Sequence, residues 1–152
     1  MSVKGIVGYK DDYKTRNKRL VAEEKCLHYL QENNIIHTRY GFDCLFDIKS
    51  KDFMKIPKKL RNTPDYMVIS DNAYLLEAKG CHDILRLKLD DMKSYNFWDN
   101  LIKLYVFIYS TMEKSHKIIS YARLNDIAIS CTMGYYEDNG KAYYKIPWEL
   151  IR

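Results

Sequence analysis

The sequence predicts an α/β domain: a central mixed sheet flanked by helices, in the order α-β-β-β-α-β, with an added C-terminal β-hairpin. Three observations predict it. Leu20 to Asn33 carries apolar residues at helical spacing. Asp65 to Ser70 and Ala73 to Lys79 read as two short strands about a turn at Asp71-Asn72. Lys103 to Ser110 (KLYVFIYS) is apolar on both faces, as a central strand must be.

Each element follows from local residues. The first eighteen residues are basic and poorly patterned, and Lys10 to Arg19 reads as a solvated arm. In the first helix, Leu20, Cys26, Leu27 and Leu30 share one side, and Asn33-Asn34 ends it. At about 100° per residue, Glu23 falls near the middle of that apolar face. A carboxylate there is costly unless it meets a cation or metal, so Glu23 is a candidate site residue. Ile35 to Ile48 looks like strand material broken by Gly41. Residues 49–62 form a basic loop carrying Lys55, Lys58, Lys59 and Arg61. Ile84 to about Trp98 reads as a second helix, with Leu85, Leu89 and Met92 on one side. Cys131 to Tyr136 and Lys141 to Ile146 flank Asn139-Gly140, a strong hairpin signal. Residues 147–151 close the chain as a short turn or helix.

Composition narrows the classes. The chain has 152 residues, 47% hydrophobic and 14% aromatic, which is too apolar for a disordered protein. We read residues 1–152 as one domain, with an arm at 1–18, a core at 20–110 and a C-terminal extension at 111–152. Lys and Arg total 25 against 20 Asp and Glu, a net +5 that permits a polyanionic partner without identifying one. Cys26, Cys44, Cys81 and Cys131 form no C-x-x-C pair and are too sparse for a disulfide framework. They read as reduced thiols, and Cys81-His82 lacks the second pair that zinc needs. No apolar run approaches the ~18–20 residues of a membrane span, and Met1 to Lys10 lacks the apolar segment of a secretory signal. The expectation is a cytoplasmic protein with no membrane partner.

One constellation carries chemistry. In Tyr74-Leu75-Leu76-Glu77-Ala78-Lys79, strand alternation puts Glu77 and Lys79 on one face. Asp65 opens the neighbouring strand, so a hairpin turning near Asp71-Asn72 sets it opposite them. Ordinary sheet packing does not ask for such a cluster. Metal-assisted phosphodiester cleavage does. Two carboxylates give hard oxygen ligands for Mg²⁺, with Mn²⁺ as a substitute. The metal neutralises charge on phosphorus oxygens and lowers the pKa of water. The Lys can orient or deprotonate the attacking water, or stabilise the transition state. Glu23 could reach the same metal or a second one.

These residues resemble the PD-(D/E)xK nucleases. Pro64-Asp65 matches the PD, Glu77-Ala78-Lys79 matches the (D/E)xK, and Glu23 matches the acidic residue often found on the family's first helix. The resemblance covers roughly residues 20–110 and implies a restriction-endonuclease-like core. Asp47-Ile48-Lys49 and Asp91-Met92-Lys93 also fit D-x-K. Asp47 precedes the PD, and Asp91 falls in the expected helix, so neither is in strand context.

The resemblance implies a Mg²⁺-dependent endonuclease that hydrolyses DNA. Asp65, Glu77, Lys79 and Glu23 would be catalytic. Asp65, Glu77, Glu23 and the Ala78 carbonyl would be metal ligands. It also implies a cation near the scissile phosphate on the second helix: Lys88, with Arg86 and Lys93 as alternatives. Lys55, Lys58, Lys59 and Arg61 adjoin Asp65 in sequence and are expected to contact phosphates. The small size favours reading DNA structure, such as a junction or branch, as in phage-type enzymes, which would act in the host cytoplasm. Homing or restriction-type enzymes, an RNA endonuclease and a non-catalytic nucleic-acid-binding accessory protein are the other readings. Cutting both strands needs two sites, so a homodimer or higher homo-oligomer is expected.

Overall fold

A five-stranded mixed sheet in the order β1-β2-β3-β5-β6 organises the chain, with helices on both faces. The computed structural model describes residues 9–41 and 50–152. The strands are β1 (His37–Arg39), β2 (Tyr66–Val68), β3 (Tyr74–Cys81), β5 (Leu104–Ser110) and β6 (Ser115–Ser120). β3 runs parallel to β5, and the other neighbours are antiparallel. The expected α-β-β-β-α-β order is therefore present, with additions.

Helix α1 (Tyr9–Glu32) lies on one face. It is longer than expected, so the arm is helical from Tyr9, and residues 1–8 lie outside the described residues. Its buried stripe is Ala22, Cys26 and Leu30, four residues apart, so one side of the helix meets the sheet. Cys26 and Leu30 pack with Leu76, Ala78 and Phe107. Leu20, expected on this stripe, is 59% exposed because the stripe is rotated away from it. The helix ends at Asn34, whose φ of 52° suits an Asn. The Ile35 N–H bonds back to the Leu30 carbonyl at 2.9 Å, a capping arrangement that turns the chain toward β1. The expected strand over residues 35–48 is reduced to His37–Arg39, and residues 42–49 lie outside the described residues.

The basic stretch before β2 is not simply loop. It holds two single-turn helices, α2 (Ser50–Phe53) and α3 (Lys58–Arg61). The β2–β3 hairpin pairs Tyr66 with Leu76 and Val68 with Tyr74. Its turn, residues 69–73, is longer than the tight turn expected.

The second helix is shorter than its apolar spacing suggested. Residues 84–88 form a strand, β4 (Ile84–Lys88), and α4 (Leu89–Leu101) starts only afterwards. Leu85 and Leu87 are buried while Ile84 and Arg86 are exposed, a period of two. β4 pairs antiparallel with β8 (Ala142–Pro147), which pairs with β7 (Met133–Tyr135). The C-terminal hairpin is thus two strands of a second, three-stranded sheet. Gly140 takes a φ of 66° at the hairpin tip, the conformation Asn-Gly predicts. Between the sheets runs α5 (Tyr121–Ile129), capped by the Ser120 side chain, which accepts from the Arg123 N–H. A 3₁₀ turn, Trp148–Leu150, follows β8.

The face of the main sheet opposite α1 carries the larger core. Leu75, Val106 and Ile108 meet Tyr95 and Trp98 of α4, Leu124 of α5, and Leu85, Leu87 and Ile146 of the second sheet. Burying each such side chain stabilises the fold by about 1.5–3 kcal/mol. Cys26 and Cys81 are free, buried thiols; Cys44 lies outside the described residues. Among the described residues, no helix is long and apolar enough to cross a membrane.

One contact fixes α1 over β3. A Cβ at Gly80 would run into the Lys18 carbonyl, a backbone atom that cannot swing aside. Gly80→Ala should therefore lift α1 from the sheet and cost about 1–3 kcal/mol in urea unfolding, the range for overpacking. An unchanged midpoint would contradict this close approach.

Candidate functional site

Asp65, Glu77 and Lys79 meet at the point where β2 begins beside β3. The β2–β3 register pairs Tyr66 with Leu76, so Asp65 and Glu77 come next in the ladder. There the carboxylates take over the bonding. The Asp65 N–H donates to Glu77 Oε2 at 3.2 Å, and the Ala78 N–H donates to Asp65 Oδ2 at 2.9 Å. Both acids are buried, Asp65 at 2% exposed and Glu77 at 8%. Asp65 also accepts from its other side. Its carbonyl receives the Tyr40 N–H at 2.9 Å and the Gly41 N–H at 3.3 Å, and Arg39 Nη2 lies 3.4 Å from Oδ1.

The electrostatics are strained by design of the sequence. Burial raises the Asp65 pKa well above the ordinary carboxylate range of 3.8, and the Glu77 and Glu23 charges raise it further. The Ala78 N–H and Arg19 oppose this without reversing it. Lys79 balances the other side. Its Nζ is 2.9 Å from Asp91 Oδ2 and 3.5 Å from Glu77 Oε1. Burial lowers the Lys79 pKa, but Asp91 and Glu77 outweigh burial, and the net shift is upward. Lys79 is therefore an ammonium at neutral pH. That favours positioning and charge stabilisation over proton abstraction.

Two residues of α4 complete this arrangement. Asp91 holds Lys79, and burial and Lys79 act oppositely on its pKa, with Lys79 winning and lowering it. The Tyr95 hydroxyl donates to Glu77 Oε1 at 2.7 Å, and burial and the Glu77 charge raise its pKa. Lys79 Nζ also sits 5.4 Å from the Tyr95 ring. Asp91 does lie in a helix, as expected, yet that helical position is what brings it to Lys79. Asp91 and Tyr95 are four residues apart, so they share a helix face. That spacing was the available signal for them.

Glu23 approaches from α1. Its side chain is 18% exposed and pairs with Arg19 Nε at 3.0 Å. It lines a 570 Å³ groove with Leu27, His37, Thr38, Arg39 and Tyr66. Arg39, which lines this groove, also meets the buried Asp65 carboxylate. Among the described residues, no three His, Cys, Asp or Glu side chains converge as a metal-binding group. Glu23, the third expected carboxylate, is engaged by Arg19, and its charge still acts on Asp65. The donor set that fits a hard divalent cation is Asp65 and Glu77, two buried carboxylates whose mutual repulsion a cation would relieve. A strand residue turns its N–H and C=O to the same edge, so the Ala78 carbonyl faces the Asp65 side as well.

The expected phosphate contacts are spread over several surfaces. Lys55 pairs with Asp52 at 2.9 Å, and Lys58 with Asp90 at 3.4 Å. Lys59 lies 5.0 Å from the Phe97 ring, and Arg61 donates to Met54 Sδ at 3.0 Å. Lys93, on α4, is 3.9 Å from Asp90. Arg86 and Lys88 are not on the second helix. Both belong to β4, and Lys88 is the residue that precedes α4.

A solved structure of a nuclease from a fusselovirus aligns with 90% of this chain and 84% of its own, with a TM-score of 0.51 and 13% identity. This chain has the fold of that nuclease. No protein-family model matches the chain, and no curated protein matches it in sequence.

The raised Asp65 pKa has a measurable sign. The folded chain holds that proton to higher pH than the unfolded chain does. Stability therefore falls as pH rises from the ordinary carboxylate range through the raised Asp65 value. In divalent-free buffer the urea midpoint should fall across that window, and Asp65→Asn should flatten the fall. An equally steep fall in the Asn variant would locate the titration elsewhere.

Proposed function

We propose that this chain is a Mg²⁺-dependent endonuclease of the PD-(D/E)xK type, acting on DNA. The observation that carries the reading is the reciprocal bonding of Asp65 with Glu77 and Ala78, with the Lys79 ammonium 3.5 Å from Glu77. The shared fold with a viral nuclease supports it. A buried acidic pair with one cation beside it is costly for stability alone and suits a divalent ion.

In this reading Asp65 and Glu77 hold the metal, with the Ala78 carbonyl as a further ligand. Bound Mg²⁺ supplies a Lewis acid for the phosphoryl oxygen and lowers the pKa of water. The residues of the chain do the rest. Tyr95 fixes the Glu77 carboxylate by its hydroxyl. Asp91 holds Lys79 charged and aimed at the space beside Glu77, where it orients the attacking water and stabilises charge on the phosphate. Glu23 and Arg39 border a groove that would hold a nucleic-acid strand beside Asp65. A structure-specific substrate remains our preferred class, because one small fold offers little room for a separate sequence-reading module.

A cleavage panel tests this: linear duplex, single strand, four-way junction, flap and RNA, each with Mg²⁺ and with EDTA. Branched DNA should be cut in Mg²⁺ alone. Asp65→Ala and Glu77→Ala should each lower the rate by about 10³-fold or more. Asp91→Asn should lower it about tenfold and move the alkaline limb of the pH–rate profile to lower pH, because burial then acts on Lys79 with less opposition. Undiminished cutting by Asp65→Ala would sink the assignment, and cutting of RNA alone would change the substrate class.

A further inference from the structure

The second sheet presents a face that packing does not require. Lys88 pairs with Tyr143 and Arg86 with Lys145 across β4 and β8, so these four side chains share one face. Gly134 of β7 stands opposite Tyr143, and a Cβ there would collide with the Tyr143 hydroxyl and the Lys145 side chain. The bare glycine lets both side chains lie across β7. Tyr136 joins them from the end of β7, its ring 4.5 Å from that of Tyr143.

The cations on this face are held by rings. The Arg86 guanidinium lies 5.3 Å from the Tyr143 ring and 5.8 Å from the Tyr136 ring. Lys88 Nζ lies 5.3 Å from the Tyr136 ring. Arg86 is exposed and makes no ion pair among the described residues. A guanidinium stacked on rings is pre-oriented and keeps its N–H fork for two oxygens of an anion such as a phosphate. Tyr136 is only 5% exposed, yet its hydroxyl has no hydrogen-bond partner among the described residues. An unmet buried hydroxyl is costly and marks a place for a ligand.

This face adjoins the candidate active site. β4 follows β3 in the chain, and Lys88 leads into the first turn of α4, which carries Asp91. β4 contacts both β3, which carries Lys79, and α4, which carries Asp91, and β8 also contacts α4, so the face of Arg86 and Tyr136 belongs to the sheet next to the candidate site.

We propose that Tyr136 and Arg86 form a phosphate-binding subsite for the nucleic-acid strand as it leaves the active site, with the Tyr136 hydroxyl and the Arg86 fork donating to one backbone phosphate. This rests on the endonuclease reading and assigns a role to the C-terminal hairpin.

The test separates this subsite from the reading beneath it. Binding of labelled single-stranded and duplex DNA is measured by fluorescence anisotropy over a salt series, in a Glu77→Gln background that cannot cut. Arg86→Gln should weaken binding about tenfold and lower the slope of log K against log salt by about 1. Tyr136→Phe should weaken it about tenfold while leaving thermal stability equal or higher, since it removes an unpartnered hydroxyl. Lys103→Gln, immediately before β5 and beside the start of β3, should change neither. Cleavage by the parent protein with unchanged binding in both variants overturns the subsite and leaves the endonuclease reading standing. Absence of both binding and cleavage overturns the two together.

Discussion

Asp65 ties three parts of the fold to one another. Its N–H goes to Glu77, its side chain to the Ala78 N–H, and its carbonyl to the N–H groups of Tyr40 and Gly41. In an ordinary hairpin the β2–β3 ladder would continue through backbone bonds at this point. Here a carboxylate from each strand takes that place, so the sheet is closed by groups that also repel each other. β1 and the segment after it, β2 and β3 are all positioned by this one residue. Pro64 immediately before it is buried and fixes the approach of the chain. Removing the Asp65 side chain therefore removes both an acid and a structural joint.

The cost of that joint explains the residues around it. Burial and two nearby carboxylates oppose ionisation of Asp65. Neutralising the site fully needs more positive charge than Arg39 at 3.4 Å and Lys79 supply, because Lys79 is bonded chiefly to Asp91. Natural proteins retain such unrelieved charge mainly where function uses it. A divalent cation between Asp65 and Glu77 would convert the repulsion into binding energy. The same logic accounts for Tyr95, whose hydroxyl saturates one oxygen of Glu77 and leaves the other facing Asp65.

Much of this was legible in the residues. Pro64-Asp65 and Glu77-Ala78-Lys79 placed the acids and the lysine correctly, because strand alternation and a single hairpin suffice to bring them together. β5 was evident from its two apolar faces, and the last hairpin from Asn139-Gly140. β4 was not. Leu85, Leu89 and Met92 fit a helical face as well as Leu85 and Leu87 fit a strand, and the tie is broken by β8, about sixty residues downstream. That reading put Arg86 and Lys88 on a helix instead of a sheet, and it hid the face they form with Tyr136. Asp91 was set aside for being helical, although its place on α4 is what brings it to Lys79. Glu23 was placed near the middle of the apolar face, but the buried stripe is Ala22, Cys26 and Leu30, so Glu23 is only partly buried, and its partner Arg19, four residues earlier, had no apolar pattern to mark it.

The central claim is that Asp65 and Glu77 form a divalent-metal site. Anomalous diffraction from crystals soaked in Mn²⁺ tests it most directly. The account predicts a single strong peak between the Asp65 and Glu77 carboxylates, within coordination distance of the Ala78 carbonyl, and its loss in Asp65→Asn crystals. Saturating Mn²⁺ that leaves this space empty, or that binds only elsewhere on the chain, would contradict it.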